Sequence, residues 1–218
     1  MILDSKSFDK YLIFSRIGNG SIGGKARGLA FLNSFIKTNG LFNKYPDVHI
    51  TIPRTVVITT DVFDEFMEAN ELYEMALSDI TDEEILQNFL EAELPGWIYQ
   101  DLYAIVSVLT KPLAVRSSSK LEDSYYQPFA GIYSTYMIPR IPENRLMFKM
   151  LSDAIKEVYA SVYYKSSKAY MTATSNVIDE EKMGIVLQEI CGNRHGDVYY
   201  PTLSGVARSI NFYPIGSE

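Results

Sequence analysis

The sequence predicts a mixed fold of helices and strands, α/β or α+β, on three observations. Helical periods and β-branched, strand-like runs interleave along the whole chain, a pattern foreign to a helix bundle or a β-sandwich. The composition is 47% hydrophobic and 22% charged over 218 residues, which excludes disorder and leaves room for one large domain or two small lobes. No internal repeat and no low-complexity linker interrupts it.

The elements follow in order. Residues 1–22 run from a mixed start, without a convincing strand, into the loop Gly18-Asn19-Gly20-Ser21-Ile22-Gly23-Gly24. Lys25 to Lys37 reads as a helix whose apolar face holds Ala26, Leu29, Ala30, Leu32, Phe35 and Ile36, with Gly40 as its stop signal. Pro53 precedes Thr55 to Thr60, a β-branched run that reads as a buried strand. Asp61 is placed to cap the next helix, which carries Phe63, Phe66 and Met67. Thr81-Asp82-Glu83-Glu84 fits a capping box that opens a helix through Ile85, Phe89 and Leu90. Trp97 to Leu109 reads as another helix after Pro95-Gly96. Leu113 to Arg116 is a short strand, Ser117 to Ser119 a polar turn, and residues 120–130 a loop. Gly131 to Ile138 alternates like a strand, and Pro142 opens a long helix reaching about Tyr170. Met183 to Ile190 is an apolar strand, and Ser204 to Tyr213 alternates again.

Composition also bounds function. Twenty basic against 27 acidic side chains give a net charge of −7, a poor match for a nucleic-acid backbone. Cys191 is the only cysteine, so an intramolecular disulfide is excluded, and two histidines add too few ligands for a zinc site. No apolar run approaches the roughly 18 residues of a membrane helix, and the N-terminus lacks the basic and apolar regions of a signal peptide. A cytoplasmic protein is expected.

Three groups stand out as chemistry. Gly18-x-Gly20-x-x-Gly23 exposes backbone amides, and Lys25 stands at a helix start where the dipole favours anions. Dinucleotide, Walker A and protein-kinase contexts all fail around this loop, and a simple turn before an amphipathic helix is the equal alternative. Arg116 ends an apolar strand, either gripping phosphate oxygens or paired with Glu122 or Asp123. Gln188 and Glu189 are successive strand residues and must face opposite ways, so one enters a cleft or is buried with a partner. His49, His195 and Cys191 read as surface or filler residues rather than as catalysts.

In order, six blocks resemble the N-terminal nucleotide-binding domain of phosphoenolpyruvate synthase and pyruvate phosphate dikinase. They are G-G-K-A-R-G-L at 23–29, I-P-R-T-V-V-I-T at 52–59 and L-A-V-R-S-S-S-K-L-E-D-S at 113–124, followed by F-A-G-I-Y-S-T-Y at 129–136, V-L-Q-E-I at 186–190 and S-G-V-A-R-S-I-N-F-Y-P at 204–214. Rifampin phosphotransferases and glucan water dikinases share this domain. The resemblance implies an α+β, ATP-grasp-like fold whose two lobes close over ATP. It implies that Lys25 and Arg116 contact the phosphates and carry the catalytic role. Gly131 and Thr135 would belong to the nucleotide site, and Gln188, with Glu189 and Ile190 beside it, would line the adenine pocket.

The chain itself departs from the family in two ways. The magnesium-binding carboxylates of that family lie past its final block, so ATP is expected here with Mg²⁺ ligands beyond residue 218. Arg208 stands where many relatives carry an apolar residue. Residues 1–192 are expected to form the first lobe with the phosphate-binding loop, and 193–218 an incomplete start of the second, the chain being cut within it. The function implied is the ATP-binding part of a phosphotransferase that passes a phosphoryl group to a carrier histidine on another domain. Residues 1–218 alone are expected to be inactive. The alternative is a regulatory nucleotide-binding module of a signalling protein. The expected partners are ATP and further domains of the same polypeptide, with neither nucleic acid nor membrane.

Overall fold

A computed structural model describes residues 13–119, 131–174, 181–207 and 209. Strand β1 (Phe14–Ile17) enters the glycine-rich loop, and helix α1 (Gly23–Thr38) follows. Strand β2 (Thr55–Ile58) leads into the helices α2 (Thr60–Ala69), α3 (Leu72–Leu77), α4 (Asp82–Glu91) and α5 (Tyr99–Val108). Then come β3 (Leu113–Ser119), β4 (Thr135–Ile138), α6 (Asn144–Ala160), α7 (Lys165–Ala173) and β5 (Met183–Glu189). A short hairpin, β6 (Asn193–His195) and β7 (Val198–Tyr200), comes last.

Five strands make one mixed sheet in the order β1-β2-β5-β3-β4, and β6 and β7 pair separately. Only β1 and β2 run parallel within the large sheet. The chain is therefore of the α+β kind. Because side chains alternate across a strand, the two faces have different partners. One face sends Ile17, Val56, Ile58, Val115, Ile185 and Leu187 into the main core, against α2, α6 and the helices packed on α6. Phe63, Phe66, Phe89, Tyr159 and Tyr163 fill its centre with rings in mutual contact. The other face carries Val57 and Val186, which meet Ala26 of α1 in a small second cluster flanked by Phe14, Ile22 and Leu29. Among the described residues no helix is long and apolar enough to cross a membrane.

Several sequence expectations change. The run Phe14–Ile17 is a strand, because parallel pairing with β2 supplies the order that its own pattern lacks. Ser117 to Ser119 do not turn. They continue β3, pairing with Ile185, Gly184 and Met183, and are fully buried, so the ladder overrides the turn preference of serine. The long helix from Pro142 breaks after Ala160 into a 3₁₀ turn, Ser161–Tyr163. There Ser161 Oγ donates to the Val158 carbonyl and accepts from the Ser134 amide, the local bonding by which serine competes with a helix ladder. Asp61 is not a cap: Thr59 holds the N-cap position of α2, and Asp61 lies inside the helix. The outer part of the apolar face expected on α1 stays open, with Leu32 and Phe35 each 48% exposed, because only the first turn of α1 is buried against the sheet. Helix α3 and the final hairpin were not anticipated. Residues 204–207 are irregular, and residues 210–213 of the strand expected there lie outside the described residues, as does the loop at 120–130.

Candidate functional site

The ladder register aligns residues in rows on the face where α1 lies. Val57, Val186, Arg116 and Thr135 form one row from β2 to β4, and Thr55, Gln188, Ala114 and Met137 form the next. Arg116 and Thr135 are direct cross-strand partners, and the side chains of Thr135 and Met137 are exposed. The sheet therefore presents a guanidinium, a hydroxyl and an amide within two adjacent rows of one open surface.

Arg116 is held in place. Its Nη1 donates to Gln188 Oε1 at 3.2 Å, and Gln188 Nε2 donates in turn to Thr55 Oγ1 at 3.2 Å. Thr55 Oγ1 finally donates to the Pro53 carbonyl at 2.9 Å. Each donor in this chain fixes the next acceptor, so the buried Gln188 amide presents oxygen, not nitrogen, to the cation. The acids suggested as alternative partners of Arg116, Glu122 and Asp123, lie outside the described residues.

Lys25 reaches the same strand from α1. Its Nζ donates to Ser117 Oγ at 3.0 Å, next in sequence to Arg116. The adjoining Ser118 staples the helix start: its Oγ donates to the Ile22 carbonyl at 2.9 Å and accepts from the Ala26 amide at 3.1 Å. Gly23 is required there. Its φ is +73°, and a Cβ would stand 1.6 Å from the Ser118 carbonyl oxygen. No acidic residue occupies the first turn of α1, so its positive end is not neutralised locally.

The glycine loop is occupied from within. Asp61 Oδ2 accepts the Asn19 amide at 2.8 Å, its carboxylate also accepts from the Gly20 amide, and Thr59 donates to it through its hydroxyl. Burial pushes the Asp61 carboxyl up, but these hydrogen bonds outweigh it and hold the group below its ordinary value. Thr60 Oγ1 accepts the Ser21 amide at 3.1 Å, and the Thr60 amide donates back to the Ser21 carbonyl at 2.9 Å. Gly18, at φ +93°, lies so close that a Cβ would stand 2.1 Å from Thr59 Oγ1. The amides of Asn19, Gly20 and Ser21, read from sequence as an anion cradle, are thus already bonded to the β2–α2 junction.

The remaining expected residues divide. Gly131 is exposed at φ +83°, four residues before Thr135, in a turn into β4. Glu189 faces away from Gln188, toward Arg54 at 3.8 Å, close enough for attraction but too far for a hydrogen bond. The Glu189 amide donates to the Arg54 carbonyl at 3.0 Å and the Ile190 amide to the Pro112 carbonyl at 2.9 Å. Both backbone donors at this end of β5 are therefore engaged within the protein. Beside them opens a cleft of about 400 Å³, lined by Ile13, Phe42, His49, Ile52, Glu189 and Ile190 among others. Among the described residues no group of three or more His, Cys, Asp or Glu side chains is arranged to hold a metal ion.

Residues 19–216 match the sequence profile of the family described as pyruvate phosphate dikinase, AMP/ATP-binding domain. The chain belongs to that family. It is also similar to an uncharacterized phosphotransferase, YvkC of Bacillus subtilis (strain 168), with 29% identity over 151 residues. That alignment covers 69% of this chain and 17% of the relative, so the chain matches a small part of the relative's length. The candidate surface is the sheet face that carries α1, Arg116 and Thr135. Sequence reasoning missed Asp61, Thr59, Thr60, Ser117 and Ser118 as parts of this surface. The signal was present as runs of short polar side chains, T-T-D directly after the β-branched strand β2 and S-S-S at the end of β3.

Proposed function

We propose that this face of the sheet holds ATP, with the phosphates at Lys25 and Arg116 and the base toward the end of β5. One observation carries the reading: Lys25 and Arg116 lie 116 − 25 = 91 positions apart in sequence, yet Lys25 Nζ bonds Ser117, the residue that follows Arg116 in β3. Thr135, directly across from Arg116, and Gly131 in the turn before it complete the phosphate end. Leu113, three residues before Arg116, pairs with Glu189, a step of about 10 Å at the rise of a strand. A nucleotide lying along β3 and β5 would thus reach the cleft beside Glu189 and Ile190 with its base. Since the amides of 189 and 190 are engaged, adenine would rest on the apolar walls Ile13, Ile52 and Ile190, and on Phe42. Gln188 would serve by orienting Arg116.

Phosphoryl transfer is mostly positioning and charge neutralisation, so the demand on this surface is for fixed cations more than for a nucleophile. Lys25 and Arg116 are each tied to the sheet and would hold the phosphate oxygens in a set direction. Mg²⁺ would neutralise phosphate charge when bound, but the described residues provide no fitting ligand set, and no step is assigned to it. We further propose an ATP-grasp-like arrangement in which residues 1–192 form the first lobe and 193–218 begin a second, a boundary supported by the separate hairpin β6–β7. In the whole protein, acting in the cytoplasm, the phosphoryl group would pass to a carrier histidine on another domain, in line with the name phosphotransferase given to the relative.

The test is displacement of a fluorescent nucleotide by ATP from the full-length protein. Lys25→Ala and Arg116→Ala should each weaken ATP by about 1.5–3 kcal/mol, the range of hydrogen bonds to charged groups, or roughly tenfold to a hundredfold. Wild-type affinity in both variants would overturn the placement.

A further inference from the structure

We infer that Asp61 is a positioning residue of the nucleotide site: its carboxylate fills the amide nest of the glycine loop, so that an incoming phosphate is taken by Lys25 instead. The inference rests on the ATP reading and adds to it a role for a residue outside the six sequence blocks. Successive amides in a glycine-rich turn form a concavity that binds anions, and a phosphate would normally be its occupant. Here the nest already has an anion. Asp61 takes the Asn19 and Gly20 amides, and the Thr59 hydroxyl braces the carboxylate from the other side. Gly18 and Gly20 allow this approach, since a Cβ at Gly20 would stand 2.7 Å from the Asp61 amide nitrogen.

The grip carries through to the cation. Thr60 clips Ser21 by two hydrogen bonds, and Ser21 Oγ accepts the Gly23 amide at 3.3 Å. Ile22 and Ala26 are stapled to Ser118, and Lys25 lies between them with Nζ on Ser117. The first turn of α1 is therefore pinned from two sides, by the β2–α2 junction and by the end of β3. Without Asp61 one side is lost: Asn19 and Gly20 keep unpaired donors, the loop is free to shift, and Lys25 loses its fixed origin. The carboxylate also places a negative charge beside the loop, which repels a phosphate from the amides and leaves the ammonium as the favourable contact.

Asp61→Asn tests this, because one oxygen remains as an acceptor while the new NH₂ opposes an amide donor. In the full-length protein ATP affinity should fall about tenfold or more, and hydrogen exchange at Asn19 and Gly20 should accelerate. In a Lys25→Ala background the same substitution should cost little further, since Asp61 acts through Lys25. Thr60→Val, which removes the acceptor for the Ser21 amide without changing charge, should act in the same direction. Thr81→Ala, which removes a cap of α4, should lower the melting temperature and leave ATP affinity unchanged. Undiminished affinity in Asp61→Asn, or an equal loss with and without Lys25, would overturn the inference while the ATP reading stands. Failure of the wild-type protein to bind ATP would overturn both.

Discussion

Arg116 owes its usefulness to a neutral partner. Gln188 offers it an oxygen without cancelling its charge, so the guanidinium stays directed yet attractive to an anion. Gln188→Glu should keep the contact and add a negative charge, turning a directed cation into half of an ion pair. ATP affinity should then fall at least tenfold, read by nucleotide displacement; an unaltered affinity would remove Arg116 from the phosphate site. Asp61 gives a second outcome at this scale. Its folded-state value is held below the ordinary 3.8, so its stabilising contribution is complete above that value and is lost as pH falls through the folded one. The stability gap between wild type and Asp61→Asn, followed by denaturant titration, should be constant from pH 7 down to about 5 and close below pH 4. A gap that widens with acid would mean that the carboxylate is not hydrogen-bonded as described. The sequence singles out Lys25 and Arg116 because each belongs to a short block. The role of Asp61 was not legible, because its partners stand 42 positions away and only folding brings them together.

Helices that carry their own signals were read well. The Thr81 capping box forms with both reciprocal hydrogen bonds, from the Glu84 amide and to the Glu84 carboxylate. Elements whose order comes from a neighbour were read poorly: β1 depends on β2, and the serine end of β3 depends on β5. Hydrophobic periodicity was right for Ala26 and Leu29 of α1 but also marked Leu32 and Phe35, which stay exposed, because a helix period reveals an apolar stripe but not what covers it. The difference is measurable. Phe66 is fully buried between Phe89 and Tyr159, so Phe66→Ala should cost about 3–5 kcal/mol. Phe35, half exposed on α1 and touching Phe31, should cost no more than about 0.5 kcal/mol as Phe35→Ser. Chemical denaturation of both variants decides it, and a loss at Phe35 as large as at Phe66 would show that α1 is covered in solution.

Across the whole molecule the two faces of the sheet divide the work. The helical layers of α2 to α6 bury the large aromatic core on one face, and that core supplies the rigidity on which a positioned surface depends. Among the described residues the other face carries α1, a small cluster of Val57, Val186 and Ala26, and the polar rows around Arg116. The division was partly legible: alternation in each strand was visible, but which strands adjoin, and so which residues share a row, depends on the crossed order β1-β2-β5-β3-β4. Because ATP would bind the folded sheet and not the unfolded chain, it should stabilise the protein by mass action. At a concentration one hundred times its dissociation constant the gain is about 2.7 kcal/mol. One kcal/mol moves the melting temperature of a domain of this size by roughly 2–4 °C, so ATP should raise it by about 5–11 °C. Lys25→Ala and Arg116→Ala should reduce the ATP shift. An ATP shift equal in all three proteins would mean that the nucleotide sits elsewhere on the fold.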